Sequence, residues 1–325
     1  MHTAPHTRGA VTHVIIMDGT MSSLRPGEET NAGLTYRLLC EAPAGTRLSL
    51  RYEQGVQWTQ WREIMNVVQG RGINRQIKRA YGFLASRYRP GDKIFLIGYS
   101  RGAYAVRSLA GMIDRVGMVR PKYATVRHIR DAYRHYQHDP NSEVARAFTT
   151  RFCHRDVPIE MVGVWDTVKA LGSAVPFSGI WHVSSQDFHS HRLGTSIRNG
   201  FHALAHDEAR MVYAPVMWES RPDWPGRLEQ MWFRGTHGDI GGHLGGFQAA
   251  RPLSNIPLVW MLERAETCGL PLPEGWRDRF EQDPRAPSVG SLRGWGKLFW
   301  IRRKRIVGAD PSEALHPTLA ETLGP

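Results

Sequence analysis

The residues with the clearest chemical potential are Gly98-Tyr99-Ser100-Arg101-Gly102. A serine between two glycines, after an apolar run and before helical periodicity, reads as a nucleophile on a tight strand-to-helix turn. A serine hydroxyl needs a base to take its proton and an acid to orient that base. With the chain order serine, acid, histidine, two pairs qualify. Asp166 follows the apolar run 160–165, and His237 stands in a Gly-rich loop after the run 229–233. Both would then lie at strand C-terminal ends, on the same sheet edge as Ser100. Asp239 with His316 also has the right order, and both pairs stay open at this point. The N–H of Arg101, at a helix N-terminus, would face a developing oxyanion. Asp18-Gly19-Thr20 closes the first apolar run, so the N–H of Gly19 or Thr20 would be a second donor, with Asp18 bracing the loop. The plainer reading of that tripeptide is an Asx turn. The chemistry expected is attack on an ester carbonyl, giving an acyl-enzyme that water then hydrolyses.

These groups need a scaffold that brings distant segments to one edge. Apolar runs over 13–17, 94–97, 160–165 and 229–233 read as strands, as does 47–52, where Leu48 and Leu50 alternate with polar neighbours; 94–97 is apolar on both faces as in a central parallel strand. Between them, Ile73, Ile77, Ala80, Tyr81, Leu84 and Tyr88 recur at three and four residues and predict a helix. Ala103, Val106, Leu109, Ala110 and Ile113 predict a second helix. Polar helices are expected over 123–152, and further helices over 196–210 and 256–268. The segment 171–195, rich in Gly, Ser, Pro and His, reads as a loop or lid. Alternation of strands and helices predicts an α/β fold, with a mainly parallel central sheet flanked by helices. With no long linker or repeat, residues 1–325 read as one catalytic domain.

Composition narrows the function classes. No stretch approaches the roughly 18 uninterrupted apolar residues a helical membrane span requires. Cys40, Cys153 and Cys268 are too few and too dispersed for a disulfide framework or a Cys-rich metal site. The grouping of His237, Asp239 and His243 lacks a Cys or Glu partner at metal-site spacing, so neither metal nor cofactor is expected. The polar, His-rich beginning has no signal-peptide core. A cytoplasmic site of synthesis is expected, with any export by a route that needs no such signal. The 42 Lys plus Arg against 30 Asp plus Glu give a net charge of +12, which favours contact with phosphates of lipid or nucleic acid. The one dense basic run is Arg302-Arg303-Lys304-Arg305, next to Trp295, Leu298, Phe299 and Trp300. The segment 295–306 therefore reads either as an anionic-membrane contact or as ordinary packing beside a solvated loop. No nucleic-acid-binding signature accompanies the charge. The remaining histidines mostly read as surface residues.

An ordered series of motifs resembles the α/β-hydrolase family that includes the catalytic domain of type VI secretion phospholipase effectors. It runs through Asp18-Gly19-Thr20, Tyr52-Glu53-Gln54-Gly55-Val56, Pro90-Gly91-Asp92, Gly98-Tyr99-Ser100-Arg101-Gly102-Ala103-Tyr104 and Gly163-Val164-Trp165-Asp166-Thr167-Val168. It continues through His202-Ala203-Leu204-Ala205-His206-Asp207-Glu208, Trp232-Phe233-x-Gly235-x-His237-x-Asp239-Ile240-Gly241-Gly242 and Leu315-His316-Pro317-Thr318. Met21-Ser22 and His243 depart from the family pattern. The resemblance implies a serine hydrolase acting on lipid esters, a phospholipase in the secreted effectors, with Ser100, Asp166 and His237 as its trio. It also implies a catalytic domain alone, without a membrane-targeting domain. The competing classes are a basic nucleic-acid-binding protein and an interaction protein built on an inactive hydrolase-like fold.

Overall fold

The computed structural model describes residues 8–55, 71–168, 192–291 and 301–323. Strand β1 (Thr12–Met17) leads through α1 (Asn31–Cys40) to β2 (Leu48–Glu53), and α2 (Arg71–Ala85) precedes β3 (Lys93–Tyr99). Helix α3 (Arg101–Val116) follows directly. A short antiparallel pair, β4 (Met118–Val119) and β5 (Cys153–His154), brackets α4 (Val126–His138) and α5 (Glu143–Phe152). The second half contains β6 (Met161–Trp165), β7 (Asn199–Ala205) and β8 (Arg227–Phe233). Then come α6 (His237–Gly241), α7 (Arg251–Thr267), β9 (Glu313–Leu315) and α8 (Pro317–Leu323).

Seven strands form one parallel sheet in the order β2-β1-β3-β6-β7-β8-β9. From β1 the chain passes to β2 on one side and to β3 on the other. The strand order thus reverses between β1 and β3, and an open α/β sheet offers a crevice at the carboxyl ends of such strands. Asp18 and Ser100 immediately follow those two strands.

Side-chain alternation explains why the sheet is covered twice. Ile15, Met17, Ile94, Leu96, Val162 and Val164 pack on one face against α2 and α3. Val14, Ile16, Phe95, Ile97, Met161 and Trp165 pack on the other, against α1 and α7. Leu96 is wholly buried, and its truncation to Ala should cost about 2–5 kcal/mol. This rigid double-sided core fixes the strand ends from which the site side chains project.

Two expectations need correction. The segment 196–210, expected as a helix, contains β7, paired in parallel register to β6 and β8. Gly200-Phe201-His202-Ala203-Leu204-Ala205 is buried on both faces, so it lacks the period of two that marks a half-buried strand, and its alanines mimic a helix. Nor are all the other histidines superficial: His13 and His202 are buried. Of the loop expected over 171–195, only 192–195 are among the described residues. The chain end, which sequence periodicity left unassigned, adds β9 to the sheet edge beside β8.

Candidate active site

Ser100 lies between the last residue of β3 and the first of α3, with φ 57° and ψ −121°. Its N–H donates to Trp165 O at 3.0 Å, continuing the β3–β6 ladder into the turn. The flanking glycines answer to space. A Cβ on Gly102 would stand 2.1 Å from Met17 O, and one on Gly98 would stand 2.7 Å from Gly102 O. A side chain at either place would drive α3 away from β1 or from its own strand. A left-handed backbone at a serine costs about 1–3 kcal/mol, which the surrounding core must hold in place. Among the described residues the non-glycine positions with positive φ are Met21, Ser100 and Asp166, so two of the three lie at this site.

His237 opens α6, just past the end of β8. Asp239 fixes that turn: its Oδ2 accepts from Thr236 N at 2.7 Å, from Thr236 Oγ1 at 2.8 Å and from Ser288 Oγ at 2.6 Å, while Oδ1 accepts from Val289 N at 2.8 Å. The backbone of His237 is tied at both ends. Its N–H donates to Glu208 Oε2 at 3.2 Å, and its carbonyl accepts from Tyr99 OH at 3.1 Å. Glu208 is itself paired with Arg210. The imidazole lies flat against Tyr213, with centroids 4.5 Å apart and planes 16° from parallel. Nε2 meets Ser100 Oγ at 2.8 Å, and Nδ1 meets Asp166 Oδ2 at 2.6 Å.

Asp166 follows β6 with φ 39° and is wholly buried. Its Oδ1 accepts from Ala205 N at 3.1 Å and from Arg305 Nη1 at 2.5 Å, and its Oδ2 accepts from Arg305 Nη2 at 2.9 Å as well as from His237. Burial alone would push its pKa up. The Arg305 charge and the His237 hydrogen bond outweigh burial and hold the carboxyl well below the usual carboxylate range. An ionised carboxylate only accepts, so Nδ1 of a neutral His237 carries the proton and Nε2 accepts from the serine hydroxyl. Ser100, His237 and Asp166 form one hydrogen-bonded line, an arrangement that can take a proton from a hydroxyl.

The other pair is not joined. His316 Nδ1 contacts Thr318 Oγ1 at 2.8 Å and its ring stacks on Phe233, while Asp239 is occupied by its four donors. Of the loop after β1, a Cβ on Gly19 would lie 3.4 Å from Ser100 Cβ, so this loop does line the serine. Gly19 N–H donates to Asp18 Oδ1 at 2.6 Å; Thr20 N–H has no such acceptor among the described residues. Asp18 also accepts from Thr30 Oγ1 and Tyr52 OH, each at 2.6 Å, and burial pushes its pKa up to about 6. A small cleft beside the elbow is lined by Asp18, Thr20, Ile73, Gln76, Arg101 and Gly102.

Sequence reasoning missed Arg305. In sequence, 302–305 is a single basic run, but only Arg302, Arg303 and Lys304 of it are exposed. The Arg305 side chain is 4% exposed and turned onto Asp166. Nothing in a row of four basic residues marks one of them as buried. Tyr213, with no motif around it, was equally silent. Residues 295–300 of the supposed membrane segment lie outside the described residues.

A parallel sheet with a serine elbow at its switch point, and a histidine and a carboxylate from later strand ends, defines an α/β-hydrolase-like protein. Residues 12–264 match the catalytic domain of the type VI secretion phospholipase effector Tle1-like family, and the chain belongs to that family. It is also 27% identical over 191 residues to the uncharacterized protein YEL023C of Saccharomyces cerevisiae, a match covering 51% of this chain and 28% of the relative's length. An uncharacterized protein from Pseudomonas aeruginosa superposes with a TM-score of 0.45 at 14% identity, covering 85% of this chain and 49% of that one. The Tle1 effector bound to the VgrG spike of the type 6 secretion system gives a TM-score of 0.32 at 15% identity, covering 72% and 51%. Family membership supports a hydrolase of the lipase or phospholipase kind.

Proposed function

We propose that this protein is a serine hydrolase that cleaves the carboxylic ester bonds of phospholipids, with a phospholipase A-type outcome. The observation that carries the reading is the line from Ser100 Oγ through His237 to Asp166, at 2.8 and 2.6 Å. Ser100 Oγ attacks the ester carbonyl carbon as His237 Nε2 takes its proton. The tetrahedral oxyanion is met by the N–H of Arg101, at the start of α3, and by that of Thr20. One such donor is worth about 3 kcal/mol of barrier. Collapse breaks the ester C–O bond, and His237 returns the proton to the leaving alcohol. Water, deprotonated by the same imidazole, then attacks the acyl-enzyme and releases the fatty acid and free Ser100.

The family supports a lipid substrate, and the surface beside the site suits one. Ile301 and Ile306 are 70% and 67% exposed, and they flank the exposed cations Arg302, Arg303 and Lys304. Apolar side chains beside basic ones favour the headgroup region of an anionic bilayer. The test is a panel of p-nitrophenyl esters and defined phospholipids with wild type and Ser100→Ala. Release of fatty acid by wild type and not by Ser100→Ala is expected. Water-soluble esters cleaved with no phospholipid turnover would restrict the enzyme to an esterase.

A further inference from the structure

Arg305 comes from a stretch that runs beside the site. Arg303 N–H donates to Ala209 O at 2.8 Å, and Met211 N–H donates to Ile301 O at 3.0 Å, so 301–303 is pinned along 209–211. Two residues on, the Arg305 guanidinium turns inward. Besides its two bonds to Asp166, it donates to Ala205 O at 2.8 Å and to Tyr213 O at 2.5 Å. Residue 305 lies well past the family match, which ends at 264.

Resting on the hydrolase reading, we propose that Arg305 is a positioning residue. It clamps the Asp166 carboxylate and the Tyr213 backbone together and moderates the pull of Asp166 on the His237 imidazolium. The geometry supplies both halves. A guanidinium fork meeting both oxygens fixes the carboxylate plane, leaving one Oδ2 direction for Nδ1. The bond to Tyr213 O holds the residue whose ring covers the other side of the imidazole. A fixed positive charge beside the carboxylate also disfavours a second positive charge on the ring it serves. The other charged or titratable groups facing the pair are His202 beside Asp166, Glu208 and His243 beside His237, and Tyr99 and Tyr213, whose rings pack on the imidazole. The nearby cation Arg210 is held by Glu208.

The experiment is a titration of His237 by NMR with labelled histidine, in wild type, Arg305→Lys and Arg305→Gln, alongside pH profiles of ester hydrolysis. The neutral Arg305→Gln should move the His237 midpoint, and the acid limb of kcat/KM, up by about one pH unit. Arg305→Lys, which keeps the charge and loses the fork, should leave the midpoint near wild type. It should lower kcat about tenfold, with KM changed little. An unmoved midpoint in Arg305→Gln would overturn the proposal, and so would failure of both variants to fold, which would make Arg305 a purely structural strut. Because the NMR midpoint needs no turnover, inactivity of wild type on every ester would sink the hydrolase reading separately.

Discussion

Tyr213 and His237 are stacked, centroids 4.5 Å apart with an angle of 16° between planes, so the imidazole is held between the Tyr213 ring and the strand end that carries Tyr99. The stack restricts rotation about the histidine side chain, which is what a base needs when its two nitrogens must face different partners. Tyr213→Phe should therefore keep kcat within about threefold, while Tyr213→Ala should lose at least about tenfold. Steady-state kinetics on one soluble ester checks this. Equal loss in both variants would assign the effect to the hydroxyl.

Asp166→Asn leaves an amide where the carboxylate orients the imidazole, and kcat should fall by about four orders of magnitude. His237→Ala should be comparably impaired. His316→Ala, whose ring meets Phe233 and Thr318 away from this line, should stay within a few-fold of wild type. The three rates measured side by side decide between the two acid–base pairs.

Asp239 acts on the fold. Its oxygens hold Thr236, Ser288 and Val289 in place, so Asp239→Ala leaves two buried donors of Thr236 and the half-buried donors of Ser288 and Val289 unpaired. Urea unfolding should show a loss of about 3 kcal/mol or more. Catalysis in whatever fraction stays folded should fall less than in Asp166→Asn.

Stability should decline as pH drops from about 6.5 toward 4. Burial lowers His202 to about 3 and His316 to about 4, from an unfolded value of 6.5. Each therefore takes up a proton on unfolding in that window, and its contribution, full above 6.5, is lost as pH falls. Asp18, raised by burial to about 6 from 3.8, works the other way: its contribution is full below 3.8 and is lost as pH rises through 6. With both histidines changed to Gln, the slope of urea midpoint against pH should shrink or reverse. An unchanged slope would contradict these assignments.

The proposed lipid contact is tested with Arg302, Arg303 and Lys304 changed to Gln and Arg305 left intact, since it pairs with Asp166. Vesicles containing phosphatidylglycerol should sediment wild type and release it as salt rises. The triple variant should bind more weakly, at about 1 kcal/mol per charge near the surface. Equal binding at low salt would return these cations to the solvent.

The elbow was legible from the sequence because its requirements are local: an apolar run, two glycines at fixed offsets and a helical period. Asp166 and His237 were legible because each ends an apolar run, and parallel strands put such ends on one edge. β7 was not, since burial on both faces erases the alternation that distinguishes a strand. Arg305 was not either, because its partner is distant in sequence and its neighbours are solvated. The position of a charge inside a basic run depends on which residue the chain turns inward, and that is a property of the packed fold.

The central claim is that Ser100 carries the acyl group. Mixing the protein with a p-nitrophenyl ester at mildly acid pH, where deacylation is slow, and quenching for intact-mass and peptide analysis tests it directly. A mass gain of one acyl group, mapped to the peptide containing Ser100 and absent from Ser100→Ala, is the result expected. Turnover with no adduct on Ser100, or an adduct on another residue that survives Ser100→Ala, would contradict it.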